Sequence, residues 1–285
     1  FSSVFDQIEN ADCQTPKIVA GNSFACPNSS LGKTATPVKA LIPVLYGTNG
    51  EYDLQFALEE AGFDCQVMVI ADSSNAKFEQ SIQTLLENLK DTQLLALPNG
   101  SIFGNQTDEQ GRAWELILNR PDVSQAIDAH LQADRLIIGS GSAFSALIRT
   151  GLIEFGQVTG HSAIRVLPNQ NGKFVSDLTT GRVVSEKSAF TTGRANKTYT
   201  APLATAFGRV VLGEAEEKIK ANGQVIAAFD TYFAEENIDG LASPNGLVFG
   251  TISSFERSGQ DLYQNVPSQG ENPFLTEAFA YLNAK

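Results

Sequence analysis

The chain has 285 residues, 42% of them hydrophobic and 18% charged, with a formal net charge of −12. That is enough for one large or two modest domains with a sizeable core, and no apolar run approaches the roughly 20 residues of a membrane helix. The acidity argues against a nucleic-acid partner, which calls for a basic patch, and is read as serving solubility.

Residues 1–36 are rich in Asn, Ser, Thr, Pro and Gly and show no periodicity beyond Phe1 to Ile8. They read as an extended tether ahead of a domain spanning 37–285. The sequence opens at Phe1, with neither an initiator Met nor a charged-then-apolar leader, which suggests a piece processed or excised from something longer. Cys13, Cys26 and Cys65 are too few and too irregularly placed for a disulfide framework or a zinc site, so a reducing, cytoplasmic setting is expected. Asn28, Asn99, Asn105 and Asn196 each open an Asn-x-Ser/Thr triplet, which matters only in a secreted protein.

From Val38 the pattern alternates. Val38 to Leu45 reads as an apolar strand, Tyr52 to Ala61 as an amphipathic helix and Cys65 to Ile70 as a second strand with Cys65 packing as a small apolar residue. Phe78 to Leu89 carries apolar residues at one-face helical spacing, and Leu94 to Leu97 is a third strand. Helices near Gly111 to Leu118 and Val123 to Leu131 precede a fourth strand, Leu136 to Gly139. Strand–helix repetition predicts a mostly parallel sheet covered on both faces, with its site outside the carboxyl ends of the strands. After Gly151 the chain turns to short strands, at Ala163 to Leu167, Phe174 to Leu178, Gly181 to Val184, Val225 to Phe229 and Leu247 to Ile252. Among them Gly213 to Lys220 reads as a helix. One domain with a β-rich second half is the economical reading.

Three loops at strand ends are candidates for the site. Tyr46 to Asp53 offers Thr48 or Asn49 as a cap for the next helix. Pro98 to Asn105 is punctuated by glycine and can aim backbone N–H groups at an oxyanion. The third, Gly139-Ser140-Gly141-Ser142, is a tight small-residue turn between an apolar strand and a helix. It has the form of a nucleophile elbow without an obvious nucleophile.

Ile42-Pro43-Val44 through Gly47-Thr48-Asn49 and Glu51-Tyr52-Asp53, Leu136 to Gly156, and Ser243-Pro244-Asn245-Gly246 through Glu256-Arg257 to Pro267 together carry a resemblance. From Lys39 to the C-terminus the chain resembles the class I glutamine amidotransferase domain at the C-terminal end of large phosphoribosylformylglycinamidine synthases. The resemblance implies a three-layer, flavodoxin-like α/β fold, and a linker before the domain also fits it. In that family a Cys-His-Glu triad forms a glutamyl thioester and releases ammonia to the synthase site. The family cysteine falls on Gly141 and its His-x-Glu pair on Ser254 and Glu256, so only the carboxylate is kept. The Gly-Gly-Phe-Ser run of the oxyanion loop becomes Asn99-Gly100-Ser101-Ile102, and a His-Gly-Glu-Gly-Arg run becomes Thr205-Ala206-Phe207-Gly208-Arg209. Four coordinated losses imply that glutaminase activity is absent.

Other chemistries are thinner. Ser140 or Ser142 could be a nucleophile if His130 or His161 supplied a base, although packing or surface roles are the simpler reading for both histidines. Glu256 reads as a relic in a solvated loop, with a retained functional role as the alternative. Gly47 to Gly50 lacks the Lys-Ser/Thr ending of a P-loop, and no cluster has metal-ligand spacing, so neither cofactor nor metal is implied. Runs such as Glu214 to Glu217 are solvated faces.

The expected function is a catalytically inactive, glutaminase-like domain with a structural role, docked on synthase-like segments of a parent protein or associated subunits. The alternatives are part of a working synthase in purine biosynthesis that takes free ammonia, and a repurposed serine hydrolase. Phe103, Phe207 and Phe255 are expected as exposed interface aromatics, because each sits in a loop near the site where the family residue is smaller or polar.

Overall fold

Among the described residues a nine-stranded sheet runs, from one side to the other, β2 (Asp64–Val69), β1 (Lys39–Val44), β3 (Leu94–Leu97), β4 (Leu136–Ser140), β11 (Val248–Thr251), β10 (Ile238–Ala242), β9 (Val225–Phe229), β6 (Val175–Val183) and β7 (Thr198–Thr205). The structure, a computed structural model, describes residues 37–101, 111–230, 237–259, 262–263 and 274–285; the expected tether at 1–36 lies outside them. β1, β2, β3, β4 and β11 pair in parallel. β10, β9, β6 and β7 extend the sheet through antiparallel pairs, so only β10 and β6 run against the rest. β5 (Arg165–Leu167) and β8 (Arg209–Val211) form a separate antiparallel pair. This is the expected α/β, flavodoxin-like layering with a mostly parallel sheet and a β-rich second half.

The parallel core follows from composition. Every residue of β3, β4 and β11 is buried, as a strand covered on both faces requires. The helix Asn75–Leu89 buries Ile82, Leu85 and Leu89 on one stripe, and the side chain of Ser74 caps its first turn. Strand order reverses between β2-β1 and β1-β3, which opens a crevice at their carboxyl ends. Gly139 and Gly250 bring backbone close beneath the elbow helix, Ser142–Arg149. A Cβ on Gly139 would meet Ala143 Cβ at 3.1 Å; one on Gly250 would meet Phe144 Cγ at 3.0 Å and Gly139 O at 2.8 Å.

Several elements differ from expectation. The two strands read at Phe174 to Leu178 and Gly181 to Val184 are one strand, β6, because Thr179 is buried and its hydroxyl donates to Ala201 O on β7 at 3.0 Å. β7, β8, β10 and the helices Leu152–Phe155 and Leu275–Asn283 were not expected. Gly213 to Lys220 is a 3-10 turn, Gly213–Ala215, running into a helix, Glu216–Ala221. The residue before the helix Glu51–Ala61 is Gly50 at φ 93°, with no side-chain cap. Neither Thr48 nor Asn49 caps it: Thr48 Oγ1 accepts from Leu45 N at 2.8 Å within its turn, and Asn49 Oδ1 accepts from Arg257. Cys65 lies on edge strand β2, half-buried, and burial first, then Glu59 and Asp64, push its thiol up to about 12.

Candidate active site

Gly141 joins β4 to the elbow helix at φ 53°, ψ −114°, a backbone region that penalises any side chain. Its N–H donates to Thr251 O at 2.8 Å, and Ser145 N–H donates to its carbonyl at 3.1 Å. The turn is therefore held from the neighbouring strand on one side and by the first helical hydrogen bond on the other. Negative charge or a carbonyl oxygen beside this N-terminus is favoured by the helix dipole and the free N–H groups.

Asn99, at the end of β3, reaches into that position. Its Oδ1 accepts from Ser142 N at 2.9 Å and from Gly100 N at 2.8 Å. Gly100 N–H is shared with Ser142 Oγ at 3.0 Å. Thr48 and Gly100 form an antiparallel bridge, and Asn49 N–H donates to Asn99 O at 2.8 Å. A Cβ on Gly100 would lie 2.6 Å from Gly47 O, so this contact between the first two loops requires glycine. Ser101 is exposed at the end of the described part of this loop.

The third side of the site is the segment after β11. Ser253 is anchored from below: Asp239, fully enclosed on β10, accepts from Ser253 N at 2.8 Å, from Ser253 Oγ at 2.6 Å and from the hydroxyl of Tyr199. Burial, first among the causes, pushes both the Asp239 carboxyl and the Tyr199 hydroxyl up from their ordinary ranges. Ser254 is buried, and its N–H donates to Pro202 O at 2.9 Å. The chain then makes a 3-10 turn, Phe255–Arg257.

Glu256, on that turn, is 4% exposed, which corrects the reading of a relic in a solvated loop. Burial pushes its carboxyl up to about 7, against the opposing pull of Arg257 and of the Ser140 and Ser254 hydroxyls beside it. Its Oε2 has no partner at hydrogen-bonding distance, nor does the buried Oε2 of Glu51. Arg257 bridges back to the first loop, donating from Nε to Asp53 Oδ2 at 2.8 Å and from Nη2 to Asn49 Oδ1 at 3.2 Å. Tyr263 OH donates to Arg257 O at 3.0 Å. The three expected triad positions thus lie beyond the carboxyl ends of the neighbouring strands β4 and β11: Gly141 is bonded to Thr251, and the hydroxyls of Ser140 and Ser254 both lie beside Glu256.

The histidines do not join them. The ring of His130 is buried, and its Nε2–H donates to Leu136 O at 3.1 Å, at the opposite end of β4 from Ser140. Strand rise puts that end about 13 Å away. Burial pushes His130 down to about 4. His161 is exposed beyond the far end of the elbow helix, with Nδ1–H donating to Thr159 O at 3.1 Å. That helix of eight residues is about 12 Å long. Neither ring can relay a proton from Ser140 or Ser142, which are themselves 1% and 5% exposed.

Two of the expected interface aromatics are core. Phe207 is 3% exposed and Phe255 1%, the latter edge-on to Phe274 with ring centroids 6.3 Å apart. The reason is local: the 3-10 turn tips Phe255 inward, where Phe274, itself fully enclosed, offers an apolar partner. Phe103 lies outside the described residues. Among the described residues no group of His, Cys, Asp and Glu could hold a metal ion, and no helix is long and apolar enough to cross a membrane.

Known proteins place these features in context. The chain is similar to the phosphoribosylformylglycinamidine synthase subunit PurQ of Aquifex aeolicus (strain VF5), 26% identical over 238 residues, covering 79% of this chain and 93% of that one. The PurQ subunit of Ruegeria sp. (strain TM1040) is 24% identical over 230 residues, covering 79% and 90%. Among solved structures, PurLQS from Thermotoga maritima superposes with a TM-score of 0.61 at 21% identity, over 87% of this chain and 97% of that one. The glutaminase domain of Trypanosoma brucei CTPS with bound acivicin superposes with a TM-score of 0.50 at 12% identity, over 86% and 94%. Residues 37–282 match the family described as the CobB/CobQ-like glutamine amidotransferase domain, and the chain belongs to that family.

Proposed function

We propose that this domain serves a phosphoribosylformylglycinamidine synthase-like assembly in purine biosynthesis as a structural partner, without hydrolysing glutamine itself. The observation that carries the reading is the elbow. Gly141 has no side chain to attack an amide, and Asn99 Oδ1 already accepts the N–H groups of Gly100 and Ser142 that would stabilise an oxyanion. Ser254 stands where the family has its base, so nucleophile and base are absent together. Resemblance to separate PurQ subunits supports the purine assignment and the expectation of synthase-like partners. Placement at the C-terminal end of a large single-chain synthase, as the segments quoted from the sequence suggest, is part of the same proposal, as is a cytoplasmic setting.

The reading separates from its alternative by one experiment on the intact parent protein. A working synthase with a passive domain turns over with ammonium and not with glutamine. A purely structural protein turns over with neither. Turnover with glutamine that is lost on Glu256→Ala overturns both.

A further inference from the structure

We propose that the Asn99 carboxamide is a plug built into the chain, seated where a substrate amide oxygen and the side chain of a nucleophile would each have to sit. The inference rests on the elbow being a vacated glutaminase site and adds a second, independent closure to it. Gly100 N and Ser142 N converge on a single atom, at 2.8 and 2.9 Å. Both are donors, so the atom between them is the amide oxygen and the orientation of the carboxamide is fixed by its partners. An amide oxygen in that cleft is the ground-state counterpart of an oxyanion, with the same partners and less charge.

The same side chain also fills the other half of the reaction space. A Cβ built on Gly141 would stand 2.5 Å from Asn99 Cγ and 2.6 Å from Asn99 Nδ2. A side chain at 141 and the seated carboxamide therefore exclude one another. The plug is carried on a braced residue: Asn99 O accepts from Asn49 N at 2.8 Å, and Gly100 abuts Gly47 O. The site can open only by rotation of the Asn99 side chain, which gives up two hydrogen bonds at a helix N-terminus. A nucleophile restored at 141 must consequently compete with Asn99 for the same space.

The test introduces Gly141→Cys into the full chain with Asn99, Asn99→Asp or Asn99→Gly, and follows alkylation of that thiol by iodoacetamide, in which the thiolate displaces iodide. Peptide-resolved mass spectrometry separates the new thiol from Cys13, Cys26 and Cys65. Removing the plug should speed alkylation by about tenfold, whereas Asn99→Asp, which keeps the acceptor, should stay slow. Equal rates for Asn99 and Asn99→Gly overturn the proposal. If the cysteine variant does not fold, a double-mutant cycle of Gly141→Ala and Asn99→Gly by urea denaturation decides. A smaller loss in midpoint from Gly141→Ala when residue 99 is glycine supports the plug, and strict additivity refutes it. Either readout reports occupancy whether or not the domain proves active, so failure of the plug is distinct from failure of the functional reading, which ammonia release from the unmodified chain would expose.

Discussion

Gly141 donates its N–H to the carbonyl of Thr251 at 2.8 Å, so the turn between β4 and the elbow helix is tied directly to the strand that leads to Ser254 and Glu256. The geometry of the site is thus held by backbone.

The purified chain should release no ammonia from glutamine above buffer background. On the proposed reading nucleophile and base, which act as a unit, are both absent, and what remains without them is far below ordinary turnover. A Glu256→Ala control separates contaminating glutaminase, which persists, from turnover belonging to this site, which would be abolished and would sink the reading. Restoring Gly141→Cys with Ser254→His should recover little, because the Asn99 carboxamide competes with any side chain at 141 for the same space and with substrate for the two N–H groups.

Ser140 and Ser142 should stay unlabelled by a fluorophosphonate probe. Ser142 Oγ accepts from Gly100 N, and Ser140 lies beside a carboxyl with no imidazole near either. An unactivated hydroxyl is a weak nucleophile. Labelling that disappears in Ser140→Ala or Ser142→Ala would establish the hydrolase alternative.

Glu256 sets a pH dependence of stability. Its carboxyl, near 4.5 when unfolded, is pushed up to about 7 by burial in the folded chain, so the folded state holds the proton more tightly. The contribution is fully present below about pH 4.5 and is lost as pH rises through about 7, amounting to about 3 kcal/mol at about 1.4 kcal/mol per pH unit. Glu256→Gln mimics the protonated form. The variant should gain on the native chain between pH 5 and 8, by about 2–3 kcal/mol in urea denaturation. An unchanged difference across that range would show that the carboxyl titrates normally.

His130 works in the opposite direction. Burial holds its ring down at about 4, against an ordinary value of 6.5, so the folded state prefers the neutral form. Stability from this group is complete above about pH 6.5 and falls as pH drops toward 4, again by about 3 kcal/mol. His130→Leu should flatten the acid limb of the stability curve; a limb that is unaltered assigns acid unfolding to other groups.

The parallel half of the fold was legible because β3 and β4 are continuous apolar runs bounded by turns and the helix Asn75–Leu89 keeps its stripe. β7 and β10 were hidden by residues that read as turn formers. Pro202 is tolerated because β7 is an edge strand, and Asp239 and Gly240 sit in β10 because one is satisfied by Ser253 and Tyr199 while the other faces close backbone. At the site, an elbow without an obvious nucleophile was legible in Gly139-Ser140-Gly141-Ser142 itself, and the resemblance added the expectation that the family position is Gly141. The role of Asn99 was not visible at all, since Asn99-Gly100-Ser101 reads equally as a turn or a glycosylation triplet. Glu256 looked solvated because Ser254 and Arg257 surround it in sequence, and sequence gives no hint that the 3-10 turn buries it.

Phe255 and Phe207 should report on the core and not on docking. Phe255 is 1% exposed, edge-on to Phe274, which itself packs 4.8 Å from Phe249 and 5.1 Å from Tyr199 between ring centroids. Truncating a ring in such a cluster removes its transfer energy and leaves a cavity, a loss of about 3–5 kcal/mol. Phe255→Ala should therefore lower the urea midpoint of the isolated chain by a corresponding amount, and Phe207→Ala should do likewise. Tyr52 and Phe56, at 73% and 60% exposed on the helix beside the first loop, supply the contrast. Replacing both by Ser should leave the unfolding free energy within about 0.5 kcal/mol, as surface changes usually do. If Phe255→Ala keeps native stability and instead weakens association with a synthase partner, the ring is displayed in solution and the expected interface stands.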